Sequence, residues 1–396
     1  MDHAAPTTRP GDGLPPGLVT LLAVVAGVSV ANLYVLQPLL PLVARDFAAT
    51  PEAVGGVAVA TQLGYAAGLF LFIPLGDTVE RKALILALCA ATVAALLGAA
   101  AAPGLVALTA VSFLLGAFTV VPHVALPLAA HLAAPAERGR IIGSVLAGLL
   151  TGILTARTVA GLIGEALGWR AVYLVAAAAM VALAAALWWR LPRDAPAASL
   201  RYPALLRSLF TLTAEQPELR RASRLGAATF AAFSAFWTTL AFHLAGPPFG
   251  LGSGAAGLFG LIGASGALAA PLVGKLADRR GARWASGVAL GLALASFVIM
   301  AVGGWWLAGL VVGVLVLDVG VQANQVANLA RVHALLPEAR SRLNTVYMVA
   351  YFFGGAAGTW AGAHAWAAWG WTGVWLTGAG FVLLGLASWV GETAGG

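Results

Sequence analysis

Charge is scarce in this chain. Asp, Glu, Lys and Arg make up 9% of its 396 residues, against roughly 25% in an average soluble domain, while 61% are hydrophobic. That composition excludes an ordinary soluble globular protein. Cysteine is almost missing. The single Cys89 cannot form an internal disulfide, and inside an apolar run it reads as a small packing residue. No G-x-x-x-x-G-K-[ST] loop occurs, so ATP drive of the P-loop kind is not expected within this chain. No metal-ligand cluster and no nucleophile triad stands out, so neither cofactor nor metal nor enzymatic activity is expected. Strict alternation of apolar and polar residues is lacking, which disfavours a barrel and leaves helices as the means of crossing lipid.

What the chain has is length of apolar run. Mean hydropathy is +0.91. Splitting at charged or Gly/Pro-rich breaks predicts twelve spans, each near the roughly 20 residues a bilayer needs. They lie at 18–43, 53–75, 83–102, 104–131, 141–164, 170–191, 223–245, 254–276, 284–302, 304–333, 341–364 and 369–391. Residues 1–17 are polar, with no short apolar core and no cleavage site, so the first span reads as retained rather than as a signal peptide. The longest polar stretch, 192–222, divides an N-terminal half (18–191) from a C-terminal half (223–396). The net charge of +7 does not point to nucleic acid, because it sits in short loops. Apart from Arg45, Arg157 and Arg170, the Lys and Arg residues fall on one parity of loops. The positive-inside rule then places those loops, the linker and both termini in the cytoplasm of a bacterial-type plasma (inner) membrane.

The halves repeat. "HLAAPAERGRIIG" (131–143) lies over "HALLPEARSRLNT" (333–345), matching His131 with His333, Pro135 with Pro337, Arg138 with Arg340 and Arg140 with Arg342. Such parallel repeats, with a site between them at the midplane, describe a transporter. The loop "GKLADRRGAR" (274–283) resembles the G-x-L-a-D-r-x-G-r signature of the major facilitator superfamily. The first-half equivalent "PLGDTVERKAL" (74–84) keeps Asp77, Arg81 and Lys82 but has Ile73 at the first Gly position and Glu80 at the second. "NLYVLQPLLPLVARDF" and "ARTVAG" are similar to its bacterial drug and metabolite efflux branch, which works by proton antiport. The resemblance implies an all-α multi-pass fold of twelve transmembrane helices in two parallel six-helix repeats. It also implies cytoplasmic gate loops carrying Asp77, Arg81, Lys82, Gly274, Asp278, Arg279 and Arg283.

Two charges fall well inside predicted spans, Arg157 and Asp318. An ionisable side chain at the bilayer centre costs about 2.5–3.5 kcal/mol on insertion scales, so such residues face protein or a cavity and mark function. We expect the two to approach each other across the halves and to couple a proton to transport; a fixed structural ion pair is the alternative. In "LDVGVQANQVANLARV" (316–331), Asp318, Gln322 and Gln325 lie within about 60° of one another on a helix, and Asn324 and Asn328 extend the arc. This face is expected to line a cavity, with Asn328 serving as inter-helix glue or gate. Further cavity candidates are Asn32, Tyr34, Gln37, Thr61, Gln62, Tyr65 and His123, and more weakly Trp237, His243, Asn344, Tyr347 and Tyr351. Gly148 with Gly152, and Gly354, Gly358 with Gly362, are spaced for close helix approach and are expected to form sliding seams between the halves. Trp305, Trp306, Trp366, Trp369 and Trp371 read as an interfacial belt.

Three functions fit these residues: proton-coupled export of small apolar or amphipathic compounds, import or facilitation of a polar solute such as a sugar or organic acid, and a non-transporting receptor or lipid-acting protein. The sparsely charged cavity favours the first. The expected partners are a small-molecule substrate, protons and the bilayer, with the chain acting as a monomer.

Overall fold

The computed structural model describes residues 16–193, 201–263 and 279–394. Among them the regular structure is helical throughout: α1 (Pro16–Ala31), α2 (Leu40–Asp46), α3 (Pro51–Leu75), α4 (Arg81–Ala100), α5 (Leu105–Phe118), α6 (Val121–Leu132), α7 (Arg138–Leu167), α8 (Trp169–Arg190), α9 (Tyr202–Glu215), α10 (Pro217–Ala245), α11 (Ser253–Ile262), α12 (Ala282–Gly303), α13 (Leu307–Leu335) and α14 (Arg340–Ala394). Among the described residues nine helical segments are long and apolar enough to cross a membrane. The longest, Pro337–Gly391, has 55 residues. Straight, it would run about 80 Å, far beyond a bilayer of about 30 Å. It turns instead at Gly370, whose φ of 58° and ψ of −143° break the helix two residues past the predicted gap at 365–368. Glycine is the residue that takes this conformation cheaply.

The first and fourth predicted spans are not continuous helices. The first breaks between α1 and α2, where residues 32–36 form turns and Gln37–Leu39 a 3₁₀ turn. Pro38 and Pro41 lack an N–H and crowd the preceding turn, so the helix cannot run through. The fourth is interrupted at Thr119 and Val120, just ahead of Pro122 in the first turn of α6. At the matching level of the second half, α10 and α13 are unbroken helices of 29 residues each.

The glycine faces pack within the halves, not between them. A side chain at Gly148 or Gly152 would strike Ala23 or Gly27 of α1, and one at Gly354 or Gly358 would strike Ala227 or Ala231 of α10. The expectation of a sliding seam there is therefore corrected. Spacing reveals that two backbones come close, not whose backbone it is. The pairing is itself repeated, α1 with α7 in one half and α10 with α14 in the other. Gly358→Leu should overpack this contact at a cost of about 1–3 kcal/mol. A lowered melting temperature in detergent, with Gly380→Leu as a control at a site open around its Cα, checks it.

Helix α9 occupies the middle of the predicted linker. Leu205, Leu209 and Leu212 bury one face. Tyr202 Oη donates to the carbonyl of Leu71, and Phe210 meets Phe70 edge to face, which ties the linker to the end of α3.

Candidate functional site

The halves meet at the end of the bundle opposite the Arg-rich loops. There α7 packs on α11: Thr158 Oγ1 donates to Gly257 O at 2.9 Å, Ser253 Oγ to Gly161 O at 3.1 Å, and the Gly254 N–H to Glu165 Oε2 at 2.6 Å. Gly257 is needed for this approach, since a Cβ on it would sit 2.5 Å from Arg157 O. The second seam joins α3 to α14. Gln62 Nε2 donates to Thr359 Oγ1 at 3.0 Å, and Thr238 Oγ1 lies 3.2 Å from the same hydroxyl. Beside it the Tyr65 and Phe352 rings are 4.5 Å apart, and Phe230 stacks on Tyr351 at 4.0 Å.

Arg157 sits inside this closure, 2% exposed. The turns that break the first span present its partners. Gln37 Oε1 accepts from Arg157 Nε at 2.6 Å, and the Tyr34 ring lies 4.7 Å from the guanidinium carbon. From the other half, the Trp237 indole lies 4.1 Å away. A desolvated cation on an aromatic face gains about 2 kcal/mol, and a planar guanidinium can use two faces at once. Arg157 Nη2 has no hydrogen-bond partner, and the cleft beside it is lined by Gln37, Pro38, Trp237, Leu240 and Ala241.

Asp318, 6% exposed at the middle of α13, reaches the same indole. A Cβ on Gly263 would lie 2.9 Å from Asp318 Oδ1 and 3.3 Å from Trp237 Cζ2, so carboxylate and indole edge share one wall. Asp318 Oδ2 has no hydrogen-bond partner. The residues expected to pair are thus brought to one side chain without forming an ion pair in this conformation. Trp237, a weak candidate by sequence, is the residue both charges touch.

The polar stripe of α13 divides in two. Asn324 Nδ2 donates to Thr229 Oγ1 at 2.7 Å and to Leu225 O at 3.2 Å, and Asn328 Nδ2 to Asn324 Oδ1 at 3.1 Å. Asn324 thus ties α13 to α10, Asn328 braces it from within α13, and both leave the cavity arc. Gln322 and Gln325 stay half-buried on the other side. Tyr347 is fully buried against Gly226, inside the second half rather than on its surface. Asn32 is buried with its amide nitrogen unpartnered, Thr61 Oγ1 bonds Val57 O within α3, and His123 Nε2 lies 3.0 Å from Tyr65 Oη. His243 stacks on Trp371 at 4.0 Å and meets Gly304 O at 2.8 Å, so it belongs to an aromatic cluster away from Arg157. Trp371 is buried in that cluster and leaves the predicted belt, whereas Trp305, Trp306 and Trp369 are exposed. Thr359, Thr238, Phe230 and Glu165 were not foreseen. Nothing local marks them, because their partners lie in distant segments.

At the basic end, Arg81 reaches Asp77 at 3.6 Å and donates from Nε to Gly76 O at 3.2 Å. Burial pushes the Asp77 carboxyl above the usual carboxylate range, opposed by Arg81 and by Arg342 of the other half. Lys82 Nζ donates to Leu191 O at 2.6 Å, fastening the start of the linker. Arg279 is exposed, and Arg283 reaches Trp389 O at 3.5 Å. Gly274 and Asp278 lie outside the described residues. At the opposite end, Asp46 accepts from Arg170 and from Trp169 Nε1; the Arg170 hydrogen bond holds its carboxyl below the usual range.

A broken first helix, two buried charges at an inter-half seam and a repeated helix pairing are features of transport proteins. Residues 22–321 match the model of the family described as Major Facilitator Superfamily. The chain belongs to that superfamily. It is similar to the uncharacterized transporter YgaY of Escherichia coli O157:H7, 42% identical over 96% of this chain and 97% of that protein. SCO4007 of Streptomyces coelicolor, named a probable transporter, is 38% identical over 92% of this chain and 85% of its own. Among solved structures the nucleoside transporter NupG, as a D323A mutant, superposes with a TM-score of 0.79 at 15% identity, covering 94% of this chain and 99% of that one. This superfamily member is a multi-pass membrane transport protein.

Proposed function

We propose that this transporter exports small apolar or amphipathic compounds in exchange for protons. In this reading twelve spans form two six-helix repeats, and residues 18–191 rock against 223–391. The protein acts as a monomer in a bacterial inner membrane with both termini in the cytoplasm. One observation carries the coupling: a buried carboxylate of one half, with an oxygen unpartnered, shares Trp237 with a buried guanidinium of the other. A proton on Asp318 removes its attraction to Arg157. Loss of the proton restores it, so the two proton states favour different separations of the halves. The few other charges in the cavity suit an apolar or amphipathic substrate.

The unpartnered Arg157 Nη2 beside a cleft favours a second reading, a transporter of organic acids whose carboxylate docks there. Purified protein in liposomes with an internal pH dye separates the two. Proton flux triggered by lipophilic cations or neutral lipophiles supports export by antiport. Flux triggered only by organic acids or sugars replaces it with the second reading.

A further inference from the structure

At the basic end of the second half, a cavity of about 540 Å³ opens between the start of α10 and the last turns of α14. Arg221, Arg224, Ser388 and Gly391 line it. It is open to its surroundings rather than enclosed. Among the described residues its charge is only partly offset. Glu218, the carboxylate 3.6 Å from Arg221, is already held by Arg331, at 2.6 Å from Nε and 2.5 Å from Nη2. Arg224 is exposed and lines the cavity, and among the described residues it makes a long 3.4 Å hydrogen bond from Nε to Ser388 Oγ. The α14 wall is fixed by Trp389, whose Nε1 donates to Arg283 O at 3.0 Å.

A guanidinium fork and a hydroxyl around an open cavity are the donors that suit a phosphate. The setting identifies where the phosphate comes from. Below the cavity, α14 continues into exposed Leu383, Leu384 and Val390, which offer apolar surface to acyl chains. The loops around it carry the excess of arginine that marks the leaflet side rich in anionic lipid. We propose that this cavity binds the phosphate headgroup of an anionic phospholipid from that leaflet. The site lies apart from Arg157 and Asp318, and the inference does not rest on the direction or coupling of transport.

The test uses the full chain in neutral detergent, titrated with dioleoylphosphatidylglycerol in mixed micelles and followed by native mass spectrometry and thermal melting. Dioleoylphosphatidylcholine and inorganic phosphate are the comparison titrants. Phosphatidylglycerol should bind and raise the melting temperature, while phosphatidylcholine and phosphate do neither. Arg221→Gln and Arg224→Gln should each weaken binding about 5-fold, and the double variant about 25-fold. Arg190→Gln, an exposed arginine at the end of α8, should leave it unchanged. The proposal is overturned if the double variant binds phosphatidylglycerol like wild type, if Arg190→Gln weakens binding as much, or if inorganic phosphate alone gives the same stabilisation. The last result would mark a free-anion site instead.

Discussion

Asp318→Asn is expected to abolish accumulation driven by a pH gradient while leaving downhill exchange of substrate intact. Asn has the shape of Asp and keeps one acceptor oxygen, but it cannot take up and release a proton at this position. If proton state sets the attraction between the halves, freezing it removes the coupling free energy. Couplings of this kind amount to about 1–3 kcal/mol, so uphill accumulation should fall about tenfold or more. Folding should not suffer, because the variant no longer buries a carboxylate whose Oδ2 has no partner. The experiment compares counterflow with gradient-driven uptake in the same liposomes. Equal loss of both would make Asp318 a structural or binding residue. Full retention of the pH-driven component would remove it from the mechanism.

Arg157→Lys is expected to fail almost as completely as Arg157→Met, despite keeping the positive charge. The wild-type guanidinium lies against the Tyr34 and Trp237 rings and donates from Nε to Gln37. A lysine ammonium is a compact point charge that cannot cover two rings and reach Gln37 as a flat group does. Loss of the Gln37 bond to a charged donor costs about 1.5–3 kcal/mol, and the aromatic contacts add to it. Transport by Arg157→Lys should therefore fall about tenfold or more. Arg157→Met should also melt at a lower temperature than wild type, since Gln37 Oε1 loses its charged donor. Near-normal transport by Arg157→Lys would show that charge alone matters and that the aromatic clamp is incidental.

Much of the helical architecture could be read from residue order. Apolar run length located most of the membrane-length helices. Arg157 and Asp318 stood out because charge is so costly within a span. The breaks in the first and fourth spans had visible causes in Pro38, Pro41 and Pro122, but apolar continuity masked them. That mattered, because the first break is what turns Tyr34 and Gln37 toward Arg157. The amides of α13 show a different limit. Helical angle placed Asp318, Gln322, Asn324, Gln325 and Asn328 on one broad arc, and only tertiary packing divides it between α10 and the seam. The Gln62–Thr359 bond spans 297 residues of sequence. No local pattern encodes such a pairing, and the same holds for Glu165 at the start of α11.

The central claim is that the proton state of one buried carboxylate sets the separation of the two halves. Spin labels on Leu167→Cys and Ala368→Cys, both exposed at the end opposite the basic loops, would report that separation in a Cys89→Ala background. The distance distribution should contain a short and a long population whose ratio changes with pH in the wild-type background, and should become independent of pH with Asp318→Asn. The same pH response with and without Asp318 would contradict the account.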